Sequence, residues 1–208
     1  FLFMMAIGPK LKWIKSQLKD KIYLVSFLII SILLAFLVLK NFNQNVLINT
    51  ILISSALYLF FMTLRDFFVK KYKNISQNIA HFGFSLLILS ILFNNLFATE
   101  IITNLKVGET FENSKTKIVF ESVDQKKEQN YNAIIANFFI SNQNGEEDRL
   151  SPELRIYNQP VIATSEADIK TTLMSDKFIV INLVQNQDFF NVRYQVKPFM
   201  LWIWLSVI

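Results

Sequence analysis

The sequence predicts a polytopic α-helical membrane protein into which a small extracytoplasmic all-β domain, a sandwich or open barrel, is inserted. Three features lead there. Hydrophobic residues make up 52% of the 208, with 21 Phe and only 4 Gly and 4 Pro, more apolar surface than a soluble domain of this length carries. Up to residue 98 the apolar residues fall in long runs. Residues 99–196 are instead rich in Asn, Gln, Glu and Lys, and too long for a simple connector.

Crossing the hydrocarbon as a helix takes about 20 mostly apolar residues. Residues 22–39, 46–64 and 77–98 each qualify. Residues 1–7 read as the tail of a preceding helix, and 197–208, with "PFMLWIWLSVI", as the start of a further transmembrane helix. The chain does not begin with Met and stops within a hydrophobic run, so it reads as an internal or truncated piece. A signal peptide does not account for residues 1–7, because no basic region precedes them and no small-residue cleavage site follows. Lys10, Lys12, Lys15, Lys19 and Lys21 crowd the first loop, and Arg65, Lys70, Lys71 and Lys73 follow the second full span, whereas the intervening turn has only Lys40 at its edge. The positive-inside rule places the two basic loops in the cytoplasm and everything after Ala98 outside. The net charge of +5 is thereby explained by topology, and no nucleic-acid partner is expected. Trp13, Tyr23, Trp202 and Trp204 sit at span ends, where aromatic anchors belong.

In the outer segment, "FNVRYQVK" alternates Phe190, Val192, Tyr194 and Val196 against Asn191, Arg193, Gln195 and Lys197, the period-2 pattern of a half-buried strand. "KFIVINLV" and "KIVFESV" read similarly. The Asn144-Gly145 pair of "NQNGEED" signals a hairpin turn between two further strands. One short helix is expected in "TSEADIKTTLM", where Ser165 followed by Asp168 makes an N-capping pattern. Lys197 and Pro198 are expected to break the last strand and lead the chain back to the membrane. With no cysteine, the domain has no disulfide and the chain performs no thiol chemistry.

The chemistry left to such a chain is narrow. No Gly-rich phosphate loop, nucleophile elbow or clustered His, Cys and carboxylates support a self-contained ATPase, hydrolase or zinc enzyme. One histidine, His81, stands near the start of the third span in "NIAHFGFSLLILSILF". An ionisable side chain there either ligates, pairs or relays protons in a protein interior, or sits at the inner interface and hydrogen-bonds a carbonyl or headgroup.

Taken together, "LSPELRIYN", "ATSEADIKT", "SDKFIVINL", "NVRYQVKPF" and "WIWL", preceded by "IGPKLKW" and "IAHFGF", resemble in order and spacing the C-terminal part of the CcmF family, the haem lyase subunit of a multi-protein cytochrome c maturation system. The resemblance covers essentially the whole chain. It implies a b-type haem held within the membrane, with the histidine of the "AH-G" motif, here His81, as one axial ligand of the haem iron. It further implies haem transfer from a dedicated chaperone and a part in thioether formation with apocytochrome c. The family's other haem-handling histidines lie upstream of these motifs, so the second ligand is expected from the N-terminal part of the protein or from a split partner, and the piece alone is not expected to be active. The location implied is the bacterial inner membrane, or the mitochondrial one if organelle-encoded, with residues 99–196 on the periplasmic or intermembrane-space side, among other maturation subunits and membrane lipid.

If "LSPELRIYN" is a strand, Glu153, Arg155 and Tyr157 point to one face and Leu154 and Ile156 to the other, with Pro152 at the strand's beginning or edge. That polar stripe suits a partner's backbone or a haem propionate, or is simply a solvated face with an exposed ion pair. Glu166 and Arg193 fall in the family-like motifs and join these three as candidates for partner docking. No catalytic residue is assigned. A second reading, from a different class, is a cofactor-free membrane-anchored scaffold or transporter accessory subunit whose outer domain binds a partner.

Overall fold

The computed structural model describes residues 1–8, 22–40, 42, 46–69, 75–143, 145–184 and 187–208. The first basic loop, with Trp13, lies outside the described residues, as do Lys70, Lys71, Lys73 and Asn144. The chain forms two units, Phe1–Leu96 with Trp202–Ile208, and Phe97–Leu201.

The first unit is helical: α1 (Leu2–Ile7), α2 (Ile22–Leu39), α3 (Val46–Val69) and α4 (Ile75–Phe97), joined by the end of α5 (Met200–Val207). Among the described residues, α2, α3 and α4 are each long and apolar enough to span a membrane. Their mutual packing uses small residues. Ser31 and Ala35 of α2 and Ala56 of α3 are fully buried, letting helices approach where no hydrophobic effect drives them together. Two buried hydroxyls turn back on their own helices: Ser31 Oγ donates to the Phe27 carbonyl at 2.7 Å and Ser85 Oγ to that of Phe82 at 2.8 Å, which pairs these protons without water. Tyr58, Leu59 and Met62 of α3 close over Ala6 of α1, and Ile53 over Ala35 and Leu39 of α2. α3 continues through Arg65 and Asp66, whose side chains pair at 3.5 Å, while the Arg65 guanidinium lies 3.6 Å from the centre of the Tyr23 ring.

The second unit is a two-sheet antiparallel sandwich. One sheet has the order β1 (Thr99–Leu105), β10 (Phe190–Pro198), β9 (Ser175–Leu183), β8 (Asp168–Thr171). The other runs β2 (Thr110–Glu112), β3 (Thr116–Lys127), β4 (Tyr131–Asn142), β6 (Glu153–Asn158), β7 (Val161–Glu166), with β5 (Glu147–Leu150) also on β4. Both β5 and β6 pair with β4, one after the other, and Ser151 and Pro152 separate them. Alternate residues of the facing strands build the core, among them Ile118, Phe120, Ala136, Phe138 and Ile140 from one sheet and Ile179, Ile181, Val192 and Tyr194 from the other.

One local expectation differs from the structure. The segment expected to hold a short helix is extended: it forms the end of β7, crosses between sheets at Ala167, and continues as β8. The groups that suggested a cap are taken across strands instead. Ser165 Oγ donates to Asn182 Oδ1 at 2.6 Å, and Asp168 Oδ2 accepts the Ser151 N–H at 2.6 Å, so ladder and long-range bonds override a weak local signal. As expected, β10 stops at Pro198, opposite Ser175, and apolar α5 follows. The turn comes one residue later, at Phe199 with φ 61°. The rest of β10 follows its alternation, except that Gln195 is buried, its amide donating to Glu100 of β1 at 2.6 Å.

Because this core is built wholly from residues of the second unit, residues 97–198 produced alone are expected to fold. The check is a β-type far-UV circular dichroism spectrum, one cooperative urea transition and no copurifying haem. A helical spectrum or stoichiometric haem would contradict it.

Candidate functional site

α4 carries the sole histidine of the chain. On this helix Ser85 and Leu89 are buried, Phe93 and Leu96 pack on the α2–α3 contact, and Phe82 sets its ring 5.2 Å from that of Phe60 and 5.7 Å from that of Phe67, both on α3. Ala80, Phe84 and Ile91 are exposed. His81 falls between the two stripes and is half-buried. No described residue hydrogen-bonds or pairs with its imidazole. Two residues on, and therefore about 200° around the helix, Gly83 meets α5: a Cβ there would stand 2.9 Å from the Ser206 carbonyl oxygen. Glycine is required at that position by the backbone of a neighbouring helix, and the imidazole faces elsewhere.

This setting fits an axial haem ligand. An imidazole at the margin of a packed span, with no hydrogen bond to a described residue, leaves one nitrogen to offer to iron and the other for a donor bond. His81 offers one such ligand, and the chain has no second histidine and no cysteine. Among the described residues no cluster of three or more His, Cys, Asp or Glu is arranged to hold a metal by itself.

The structure gathers four of the five docking candidates and separates the fifth. On β6, Glu153, Arg155 and Tyr157 share the outer face while Leu154 is buried in the core. β7 places Glu166 directly opposite Glu153. Arg155 Nε donates to Glu153 Oε2 at 2.8 Å, its guanidinium lies 5.1 Å from the centre of the Tyr131 ring, and Tyr131 and Tyr157 are cross-strand neighbours at 5.4 Å. The Glu153 hydrogen bond, followed by one with Tyr157, holds the guanidinium well above its ordinary pKa. The result is an aromatic and Arg face held by its own contacts, a composition enriched at protein interfaces. Arg193 lies on the other sheet, where it pairs with Glu100 on β1. Hydrogen bonds from Gln195 and then Arg193 hold the Glu100 carboxyl below its usual range.

Sequence reasoning missed an ionic cluster, buried at its centre, that joins the two sheets. Asp148 of β5 and Lys177 of β9 are 5% and 7% exposed. Lys177 Nζ donates to Asp148 Oδ2 at 2.8 Å and to Glu146 Oε2 at 2.6 Å, and Lys170 of β8 closes on the other oxygen of Asp148. Beside it the Tyr194 hydroxyl is buried without a protein partner, its pKa pushed up to about 12 by that burial. Residues 29 apart make this pair, and no local pattern announces it.

Residues 96–198 match a family model described as the CcmF C-terminal beta-sandwich. The chain is 24% identical to the cytochrome c-type biogenesis protein CcmF of Haemophilus influenzae, over 99% of this chain and 34% of that protein, and 22% identical to CcmF of Escherichia coli over 98% and 33%. It is 31% identical to the cytochrome c-type biogenesis protein ccl1 of Rhodobacter capsulatus, over 60% of this chain and 19% of that protein. A solved structure titled Cytochrome c Heme Lyase CcmF shares the fold, with a TM-score of 0.72 at 19% identity, covering 99% of this chain and 36% of that one. The chain thus spans about a third of the length of the first two curated relatives and of the solved chain. Spans and sandwich both correspond to the solved CcmF fold, and residues 96–198 belong to the family of the CcmF C-terminal beta-sandwich.

Proposed function

We propose that the chain serves in a cytochrome c haem lyase, where it supplies one axial ligand, His81, to a b-type haem in the membrane and takes part in attaching haem covalently to apocytochrome c. What carries this reading is the position of His81: half-buried on a membrane helix, with no hydrogen bond to a described residue, in a chain similar along its length to CcmF. His81 would hold such a haem through its imidazole, and the haem would supply the iron centre; a further ligand would come from outside this chain, from the rest of the protein or a split partner. Phe82 and Gly83 orient the helix that presents it, the first against α3 and the second under α5. Residues 99–196 face the periplasmic side of a bacterial inner membrane, opposite the basic loops. There the Glu153, Arg155, Tyr157 and Glu166 face docks a protein partner, the haem chaperone or apocytochrome c, while Arg193 serves the sheet itself.

The test is His81→Ala in the complete, assembled protein. Removing an iron ligand is expected to lower membrane haem and cytochrome c maturation by at least about tenfold, with normal protein abundance, because a methyl group is easier to insert than imidazole. His81→Gln keeps a polar group at that depth but is a poor haem ligand, so it is expected to fail as Ala does. A wild-type complex without a Soret band leaves the cofactor-free scaffold reading, and a band undiminished in His81→Ala removes the ligand role.

A further inference from the structure

We propose that the tip of the β8–β9 hairpin, Leu173 and Met174, rests in the lipid surface of the membrane beside the point where the chain returns to it. Both side chains are 58% exposed, on a tight turn that Thr172 and Ser175 close by hydrogen bonds in both directions. An apolar tip held this rigidly cannot fold back to hide itself. Its place along the sheet sets its partner. Ser175 pairs with Pro198, and the Met174 carbonyl accepts the Phe199 N–H at 2.8 Å, immediately before apolar α5 begins at Met200. On the neighbouring strand, Thr99 pairs with Val196 and follows the end of the α4 span by two residues. Two connections to apolar helices therefore leave the sheet at this end, and the tip is hydrogen-bonded to one of them.

The charge at this end is mixed, with Glu146 and Glu147 beside Leu173 and Met174 as well as Lys170, and the cation nearest the return to α5 is Lys197. Lys197, two residues ahead of Phe199, carries its ammonium 6.0 Å from the centre of the Phe178 ring, and with the tip seated in lipid it would meet headgroup phosphates. Aliphatic side chains below a lysine are what an interfacial contact requires. The inference uses only the membrane helices and the sheet register, so it stands or falls separately from the role of His81.

The native chain has no cysteine, which allows a direct measurement. Met174→Cys, and separately Leu173→Cys, carry a nitroxide label in the full chain reconstituted into phosphatidylcholine vesicles. Asn130→Cys is the control: it is exposed in the β3–β4 turn, at the end of its sheet remote from Asp148. Electron paramagnetic resonance is expected to show both hairpin labels several-fold more accessible to oxygen than to a water-soluble nickel chelate, relative to the control. Nickel accessibility equal to that at Asn130 means an aqueous tip. Shielding from both reagents means a tip covered by protein. Either result overturns the proposal.

Discussion

Phe120→Ala is expected to destabilise the β unit by about 3–5 kcal/mol. The ring is fully buried, stacks on Phe138 of the same sheet with centroids 4.5 Å apart, and meets the edge of Phe190 from the opposite sheet at 5.5 Å. Truncation removes a side chain that touches both layers, and the strands cannot close in on the space. Around it the backbone is already committed: Gly108 and Glu109 exchange hydrogen bonds with Phe120, and the β3–β4 register shifts just beyond it. Phe120→Leu keeps most of the volume and is expected to lose less than about 1.5 kcal/mol. Urea titration of residues 97–198 reads both. A loss below 1 kcal/mol for the alanine variant would mean that the ring does not bridge the sheets.

Asp148→Ala is expected to cost a similar amount, about 3–5 kcal/mol, for a different reason. It leaves the Lys177 ammonium buried with only the more exposed Glu146 as its partner. Replacing both, Asp148→Leu with Lys177→Met, is expected to restore much of the loss, because a well-packed apolar pair needs no desolvation of charge. The pH dependence separates this from a packing defect. Burial pushes the Asp148 carboxyl up, but hydrogen bonds from Lys170 and Lys177 outweigh it and leave the group below its ordinary 3.8. A carboxyl depressed in the folded state stabilises above its unfolded pKa, and that contribution is lost as pH falls through the folded value. Lys177 is held above its ordinary 10.5 by Asp148 and Glu146 despite burial, so its contribution is complete below 10.5 and lost as pH rises through the folded value. Stability should therefore be level between about pH 4 and 10 in these groups and fall on either side. The double variant should weaken both edges of that plateau, leaving the acid edge that Glu100 sets, whereas a packing variant such as Phe120→Leu should keep them in full.

What the sequence disclosed followed the range of the interaction. Spans were legible because apolar length alone decides them, and β10 was legible because Val192 and Tyr194 alternate with Arg193. Gln195 breaks that alternation only through Glu100, 95 residues away. The outer stripe could be read along β6, but Glu166 joins it through the β6–β7 register and Arg193 leaves it through strand order. A capping pattern at Ser165 and Asp168 pointed to a helix because the competing partners, Asn182 and Ser151, are distant in sequence. For His81 the type and depth of the residue were visible from the start. The need for Gly83 was not, since it comes from a carbonyl on a helix more than a hundred residues later.

The pairing of Thr99 with Val196 has a geometric result for the helices on either side. Neighbouring strands lie about 5 Å apart, so the chain leaves the sandwich beside the place where it arrived. Measured at that junction, almost a hundred residues of β structure take up no more room than the two arms of a hairpin. A family can therefore lengthen, shorten or recut the sandwich loops without changing the gap that the membrane helices must bridge.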